Sequence, residues 1–292
     1  MAKSLAPVVS VHLVDSKSSL KSATTANLHL NDVPTSFSIL QQKPAAPAAA
    51  PMPPLTDGVR VVTAAEYKQA AACLAEAFAE DDVARYFIDV PDRAHWSEQE
   101  KWDLHVEILE YVTYAHILKG LVTTIGNFEA VALWYVVIAL VASNTVVLME
   151  LRMPPGKNMD DFLTILRSGM WRLNYRLSTE GKRRFFTEFL PLLHDTKYAT
   201  LGDRDDTSWY LVYIGTRPSG RGKGHARKLL EHVTMQADRE GRPVYLESSN
   251  EANPPIYRKF GFETVRTVHL QRAERNVGLD IMVREPVSGE RK

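Results

Sequence analysis

Hydrophobic and polar positions change period several times along this chain, and each change marks an element. Val59-Arg-Val-Val-Thr63 alternates as a short strand does, and Thr63-Ala-Ala-Glu66 then places a hydroxyl and a carboxylate to bond free amides at a helix start. The helix runs to about Phe78, with Ala70, Cys73, Leu74 and Ala77 on one face. Ser97–Leu118 predicts a second helix, its apolar positions Leu104, Ile108, Tyr111 and Ala115 at helical spacing. Leu121–Ile125 and Ala130–Trp134 read as strands separated by Gly126-Asn127. From Ala130 to Met149 no residue is charged, and the run has the length of a membrane-spanning helix. Its β-branched enrichment and the central Ser143-Asn144-Thr145 turn signal favour two strands over a membrane span, so no membrane partner is expected. Asp160–Leu173 and an Arg-rich segment carrying Phe185, Phe186, Phe189 and Leu190 predict two more helices, read as lids or packing elements. From Ser208 onward the order is strand, glycine loop, helix, strand, short helix, strand and hairpin, the signature of a mixed α/β sheet.

Composition bounds the organisation and removes several function classes. Residues 1–56 are a Ser/Thr-rich tail ending in the Pro/Ala stretch Pro44–Pro54, read as disordered tail and extended linker. Residues 57–288 are then expected to form a single domain. The first residues lack the apolar core of a secretory signal, and no Arg precedes Arg60 as a mitochondrial presequence would require, so a cytoplasmic protein is expected. In the 292-residue chain, 35 Lys and Arg balance 35 Asp and Glu, which argues against a nucleic-acid partner. The lone Cys73 excludes an internal disulfide framework, and no pair of histidines has metal-ligand spacing, so no metal is expected.

The chemistry concentrates where a strand runs into glycines. Trp209-Tyr-Leu-Val-Tyr-Ile-Gly-Thr216 leads into Arg217-Pro-Ser-Gly-Arg-Gly-Lys-Gly-His-Ala226, and a helix follows with Ala226, Leu229, Leu230, Val233 and Ala237 on one face, stopping at Gly241. Free amides at the helix start and glycines that admit a phosphate to the backbone make an anion site. A Walker loop fails because Gly215 and Gly220 are followed by Arg221-Gly222 rather than Lys-Ser/Thr, and a dinucleotide fingerprint fails at His225 or Arg227. The pattern Arg/Gln-x-x-Gly-x-Gly/Ala does fit, at Arg221, Gly224 and Ala226, with Gly222 as an extra glycine. No Gly-x-Ser-x-Gly elbow is present, which removes the common serine-hydrolase reading.

That loop resembles the pyrophosphate loop of acetyl-CoA-dependent N-acetyltransferases. Asn253-Pro-Pro-Ile-Tyr-Arg-Lys-Phe-Gly-Phe262 matches the Asn-x-x-x-Tyr-x-x-x-Gly-Phe segment that follows the fifth strand of the same enzymes. From Tyr210 to Val265 the chain therefore resembles the GNAT superfamily, and Tyr-Leu-Glu-Ser-Ser before the second motif is similar to its puromycin-acetyltransferase-like, small-molecule branch. The resemblance implies an α/β (α+β) fold, a mixed and mostly antiparallel sheet of six or seven strands splayed between the fourth and fifth. It implies acetyl-CoA as co-substrate, with Ile214 and Thr216 facing the pantetheine arm and thioester. Arg221, Gly222, Lys223, Gly224, His225 and Ala226 would hold the pyrophosphate, with Asn253 near the pantetheine. Tyr257 would stand near the thioester sulfur as general acid or, on the plainer reading, pack the short helix on the sheet.

The base is Glu247 or a water relay. Alternation puts Tyr245 and Glu247 on one face of the strand Val244–Ser248, where a carboxylate in apolar surroundings would have a raised pKa. The alternative is a structural Glu bonded to backbone or to an Arg. Asp81 and Asp82 follow the first helix and read as a solvated helix end, with attraction of a cationic amine as the second reading. In similar sequences of the family a third strand ending in an aromatic leads quickly to a Pro-Gly turn. Trp134 would join Met153-Pro-Pro-Gly156 smoothly without residues 135–152, so the resemblance implies that this stretch is an apolar insertion, with a retained intron in the gene model as one origin. The expected partner is a small-molecule amine acceptor, with protein or peptide amines or a non-catalytic CoA-binding role as alternatives, in a monomer or homodimer.

Overall fold

The computed structural model describes residues 58–135 and 162–287; the tail and linker, most of the uncharged run and all of the insertion beyond Tyr135 lie outside the described residues. Seven strands form one sheet in the order β1-β2-β3-β4-β5-β7-β6. They are β1 (Val59–Val61), β2 (Leu121–Ile125), β3 (Ala130–Tyr135), β4 (Trp209–Thr216), β5 (Val244–Ser248), β6 (Glu263–Leu270) and β7 (Val277–Arg284). Every neighbouring pair is antiparallel except β4 and β5. This is the mixed, mostly antiparallel sheet the motifs imply.

Helices cover both faces, so β3 is buried on both sides. Its alternation sends Val131 and Leu133 into a core built with α1 (Tyr67–Ala77), α2 (Asp82–Ile88) and α3 (Glu98–Lys119). Ala130, Ala132 and Trp134 face the opposite core, under α8 (His225–Glu240). Gly215 makes the first packing possible, since a Cβ there would come within 2.7 Å of Ala77 Cβ.

Local signals explain the boundaries. The Thr63–Glu66 capping box forms, opening a short 3₁₀ turn that feeds α1, and Ser97 with Glu100 forms a second box at the start of α3. Gly241, at φ +63°, ends α8 in the left-handed conformation that glycine adopts without a Cβ clash. The helix expected over residues 160–173 is broken, because Gly169 (φ +83°) separates α4 (Phe162–Ser168) from a 3₁₀ turn and α5 (Leu173–Arg176). The Arg- and Phe-rich segment begins as α6 (Thr179–Lys182), widens to a π-helix over Arg183–Phe189 and continues as α7 (Leu190–Leu201). Buried Arg184 ties this segment to its neighbours, donating to Tyr86 O at 2.8 Å, Asp89 O at 3.2 Å and Arg272 O at 3.0 Å. A short connector, α9 (Pro254–Arg258), follows β5.

Candidate functional site

Two irregularities in β4 open the sheet. Between β3 and β4 the register passes from Leu133↔Tyr213 to Trp134↔Leu211, leaving Val212 as a bulge. Pairing of β4 with β5 covers only Trp209↔Val244, Tyr210↔Tyr245 and Leu211↔Leu246. From Val212 to Thr216 the edge of β4 facing β5 is therefore left without a strand partner.

A cavity of roughly 700 Å³ occupies this opening and reaches both faces of the sheet. Leu211, Ile214, Leu246 and Tyr257 line it from the α8 side, and Phe78, Phe185, Phe189 and Tyr213 from the side of α1 to α3. Of the expected catalytic and cofactor-binding residues, Ile214, Glu247, Asn253 and Tyr257 meet in this one cavity. Thr216, Arg221, Gly222, Lys223, Gly224, His225 and Ala226 do not line it; they follow it along β4 into the loop before α8.

Glu247 projects from β5 on the face shared with Tyr245. Burial pushes its carboxyl up to about 7, while the Tyr210 and Tyr245 phenols and the Lys197 ammonium pull it back. Its Oε1 is buried and makes no direct hydrogen bond, while the two phenols and its own backbone group are among the neighbours that favour the charged form. Tyr257 packs edge-on against Phe262, with ring centroids 5.8 Å apart, and also faces the cavity. Burial raises its phenol well above the ordinary tyrosine range, so it stays a neutral hydrogen-bond donor. Asn253 caps the start of α9 through its backbone carbonyl, which accepts from Ile256 N and Tyr257 N.

The glycine loop has the form of an anion cradle. Gly222 (φ +78°) and Gly224 (φ +76°) adopt left-handed conformations around Lys223, and a Cβ at either would meet nothing within 4 Å, so the requirement is for backbone geometry. Gly224 is the N-cap of the 16-residue α8, whose first amides have no intrahelical acceptor. Gly220 lies against the β2–β3 turn, where an added Cβ would meet Glu129 O at 2.8 Å.

Glu129 also binds the loop through its side chain, 2.5 Å from Lys223 Nζ and 3.1 Å from His225 Nε2, and these contacts hold its carboxyl below the usual range. His225 is thus a helix-start side chain engaged with a carboxylate. Arg217 is paired with Glu76 and Arg227 with Glu231.

The sequence reads Asp81 and Asp82 first as a solvated helix end and second as groups that attract an amine, and it singles out none of the other contributors. Asp82 is exposed, as a solvated helix end should be, but Asp81 is not. Asp81 caps α2 by accepting from Val83 N at 3.0 Å and Ala84 N at 3.1 Å, and it accepts from Ser249 Oγ at 2.6 Å. It lines the cavity, and burial raises its carboxyl despite these bonds. Tyr210, Lys197 and Asp205 also belong to the cavity wall. For Tyr210 the signal was present, as a tyrosine at the start of β4, but only the β4–β5 register shows that it stands beside Tyr245. Among the described residues no cluster of three or more His, Cys, Asp or Glu side chains is placed to hold a metal ion, and no helix is long and apolar enough to cross a membrane.

Residues 193–264 match the family described as acetyltransferase (GNAT) domain. Over 225 residues the chain is 46% identical to an uncharacterized N-acetyltransferase of Schizosaccharomyces pombe, an alignment covering 77% of this chain and 82% of the relative. Among solved structures, one described as histone acetyltransferase HPA2 and related acetyltransferase from Corynebacterium glutamicum is 18% identical, covering 80% of this chain and 97% of that one, with a TM-score of 0.43. The Drosophila melanogaster polyamine N-acetyltransferase is 14% identical, covering 78% and 98% of the two chains, with a TM-score of 0.47.

Proposed function

The chain belongs to the GNAT superfamily of N-acetyltransferases, and from that premise we propose that it transfers an acetyl group from acetyl-CoA to the amine of a small molecule by direct attack. The observation that carries this reading is the cavity itself, which brings a carboxyl group of raised pKa and a neutral phenol to the gap between β4 and β5. Its volume lies in the range of small-molecule sites, roughly 300–1,000 Å³. The walls on the side of α1 to α3 are largely aromatic, with Asp81 and Glu247 among the acidic groups, which suits an amine carried on an apolar or aromatic body. The same enclosure supports a small acceptor, in keeping with the puromycin-acetyltransferase-like motif Tyr245-Leu-Glu-Ser-Ser249.

Each group then has a task. Acetyl-CoA supplies the activated acetyl group. The amides of Arg221 to Ala226, with the paired left-handed glycines, hold a pyrophosphate at the positive end of α8. The unpaired edge of β4 at Ile214 and Thr216 offers backbone groups to the pantetheine arm, and one N–H there stabilises the developing oxyanion. Asn253 reaches the same arm from α9. Glu247 takes a proton from the bound ammonium so that the free amine attacks the thioester, and its pKa near the working pH suits a base. Tyr257 donates a hydrogen bond to the departing thiolate, which takes up the proton that the nitrogen sheds on becoming the amide.

The test is release of free thiol from acetyl-CoA across a panel of amines, including aromatic amines and lysine peptides. Turnover with small amines is expected. Tyr257→Phe is expected to lower kcat about 10- to 100-fold, the loss of one hydrogen bond to a charged group, while leaving acetyl-CoA affinity within about twofold. Activity confined to peptides would replace the small acceptor with a protein one. Binding of acetyl-CoA with no turnover on any amine would make the protein a CoA-binding module.

A further inference from the structure

Behind Glu247 the cavity wall holds a buried cation for which the transfer reaction, as described, has no use. Lys197 on α7 is 9% exposed; its Nζ donates to Asp205 O at 2.9 Å and also to the Asp205 carboxylate. Lysine is rarely buried so deeply unless paired, and a buried pair costs desolvation that apolar residues of the same volume would avoid. The position of Lys197 gives the reason for keeping it. Its ammonium lies 5.7 Å from the Tyr210 ring centroid and 5.9 Å from that of Tyr245. The two rings meet edge to face, 5.4 Å apart at 71°, as partners in the short parallel pairing of β4 with β5. Glu247 follows Tyr245 on the same face, within reach of both phenols.

We propose that Lys197, anchored by Asp205 and coupled through the Tyr210–Tyr245 pair, is the positioning residue for the Glu247 base. It orients the phenols toward the carboxylate and supplies the positive charge that keeps the ionised form accessible in a dry cavity. The inference rests on the reading of Glu247 as base. Other groups share this environment and are held constant in the test: Tyr213 on β4, His194 and Asp195 on α7, and Asp81 at the start of α2 line the same cavity, while Arg266 on β6 acts on Tyr245. None of them stands over both rings as Lys197 does.

The experiment is the pH profile of kcat/KM for the full-length enzyme and four variants, with melting temperature recorded for each. Lys197→Met removes the positive charge, so the carboxylate becomes harder to form and the acid limb is expected to move up by about one pH unit or more. Lys197→Arg keeps the charge and is expected to hold the limb near its wild-type position. Tyr210→Phe keeps the ring and removes the hydroxyl, and is expected to move the limb in the same direction as Lys197→Met. Glu247→Gln is expected to abolish the limb. If Glu247→Gln abolishes the limb while Lys197→Met leaves it in place, the positioning role is overturned and the base survives. If Glu247→Gln keeps the wild-type limb, the base reading itself falls, and this inference with it. Should Lys197→Met fail to fold, an unmoved limb in Tyr210→Phe overturns the proposal equally.

Discussion

Glu247→Gln is expected to lower kcat/KM by about 10²–10⁴-fold, the usual contribution of a positioned acid or base, with acetyl-CoA affinity unchanged. The substitution is nearly isosteric, so it removes the proton acceptor while keeping the volume and most of the contacts of β5. The wild-type profile follows from the sign of the shift. Burial raises the Glu247 carboxyl to about 7, and the ionised form is the active one. Activity should therefore be low below pH 7, climb through it, and level off above.

Stability should move the opposite way. A carboxyl group whose folded pKa lies above its unfolded value of 4.5 favours folding at low pH, and that contribution is lost as pH rises through about 7. At pH 8 the buried carboxylate is a cost, so Glu247→Gln should be more stable than wild type there, by at most about 3 kcal/mol, and indistinguishable near pH 4. Urea midpoints at the two pH values measure this. A variant equally stable at both, with wild-type turnover, would remove Glu247 from the mechanism.

Gly120→Ala is expected to be the most destabilising single-methyl substitution in the sheet, costing about 3 kcal/mol or more. Gly120 is the whole connection between α3 and β2, its N–H bonded to His116 O at 2.7 Å. A Cβ there would stand 2.2 Å from Trp134 O, and the atom it meets is backbone in a central strand. Leu121 pairs with Trp134 in the very next position, so neither chain can retreat without breaking the β2–β3 ladder. Trp134 also packs edge-on against Trp209, with centroids 6.4 Å apart, and the disturbance reaches β4. Chemical denaturation followed by tryptophan fluorescence reads the loss. A midpoint within about 0.5 kcal/mol of wild type would show that the connection yields more easily than its geometry indicates.

The sequence was most informative where chemistry is local. The strands flanking Gly126-Asn127, the capping box at Thr63 and the stop at Gly241 are each specified by residues a few positions apart, and each forms where the pattern places it. The helix expected over residues 160–173 failed for a related reason: its periodicity is genuine, but Gly169 breaks the backbone inside it. What could not be read is whatever depends on register or on packing between distant segments. Asp81 looks like any polar helix end until Ser249, 168 residues away, is placed beside it. Lys197 and Asp205 sit in what read as a packing helix and its following turn, and nothing nearby in sequence marks them as neighbours of Glu247. Glu129 stands just before the uncharged run, and nothing local in sequence marks its loop partners, which lie about 95 residues further on.

The brevity of the β4–β5 pairing has a mechanical meaning. Four strands on one side and three on the other are joined across the sheet by three residue pairs, so the hydrogen-bonded ladder is thinnest where the cavity lies. A molecule bound as proposed, along the open edge of β4 and touching α9, would act there as a splint, completing with its own polar groups a junction that the polypeptide leaves half made. The two halves would then resist separation together, and acetyl-CoA is expected to raise the melting temperature in a concentration-dependent way.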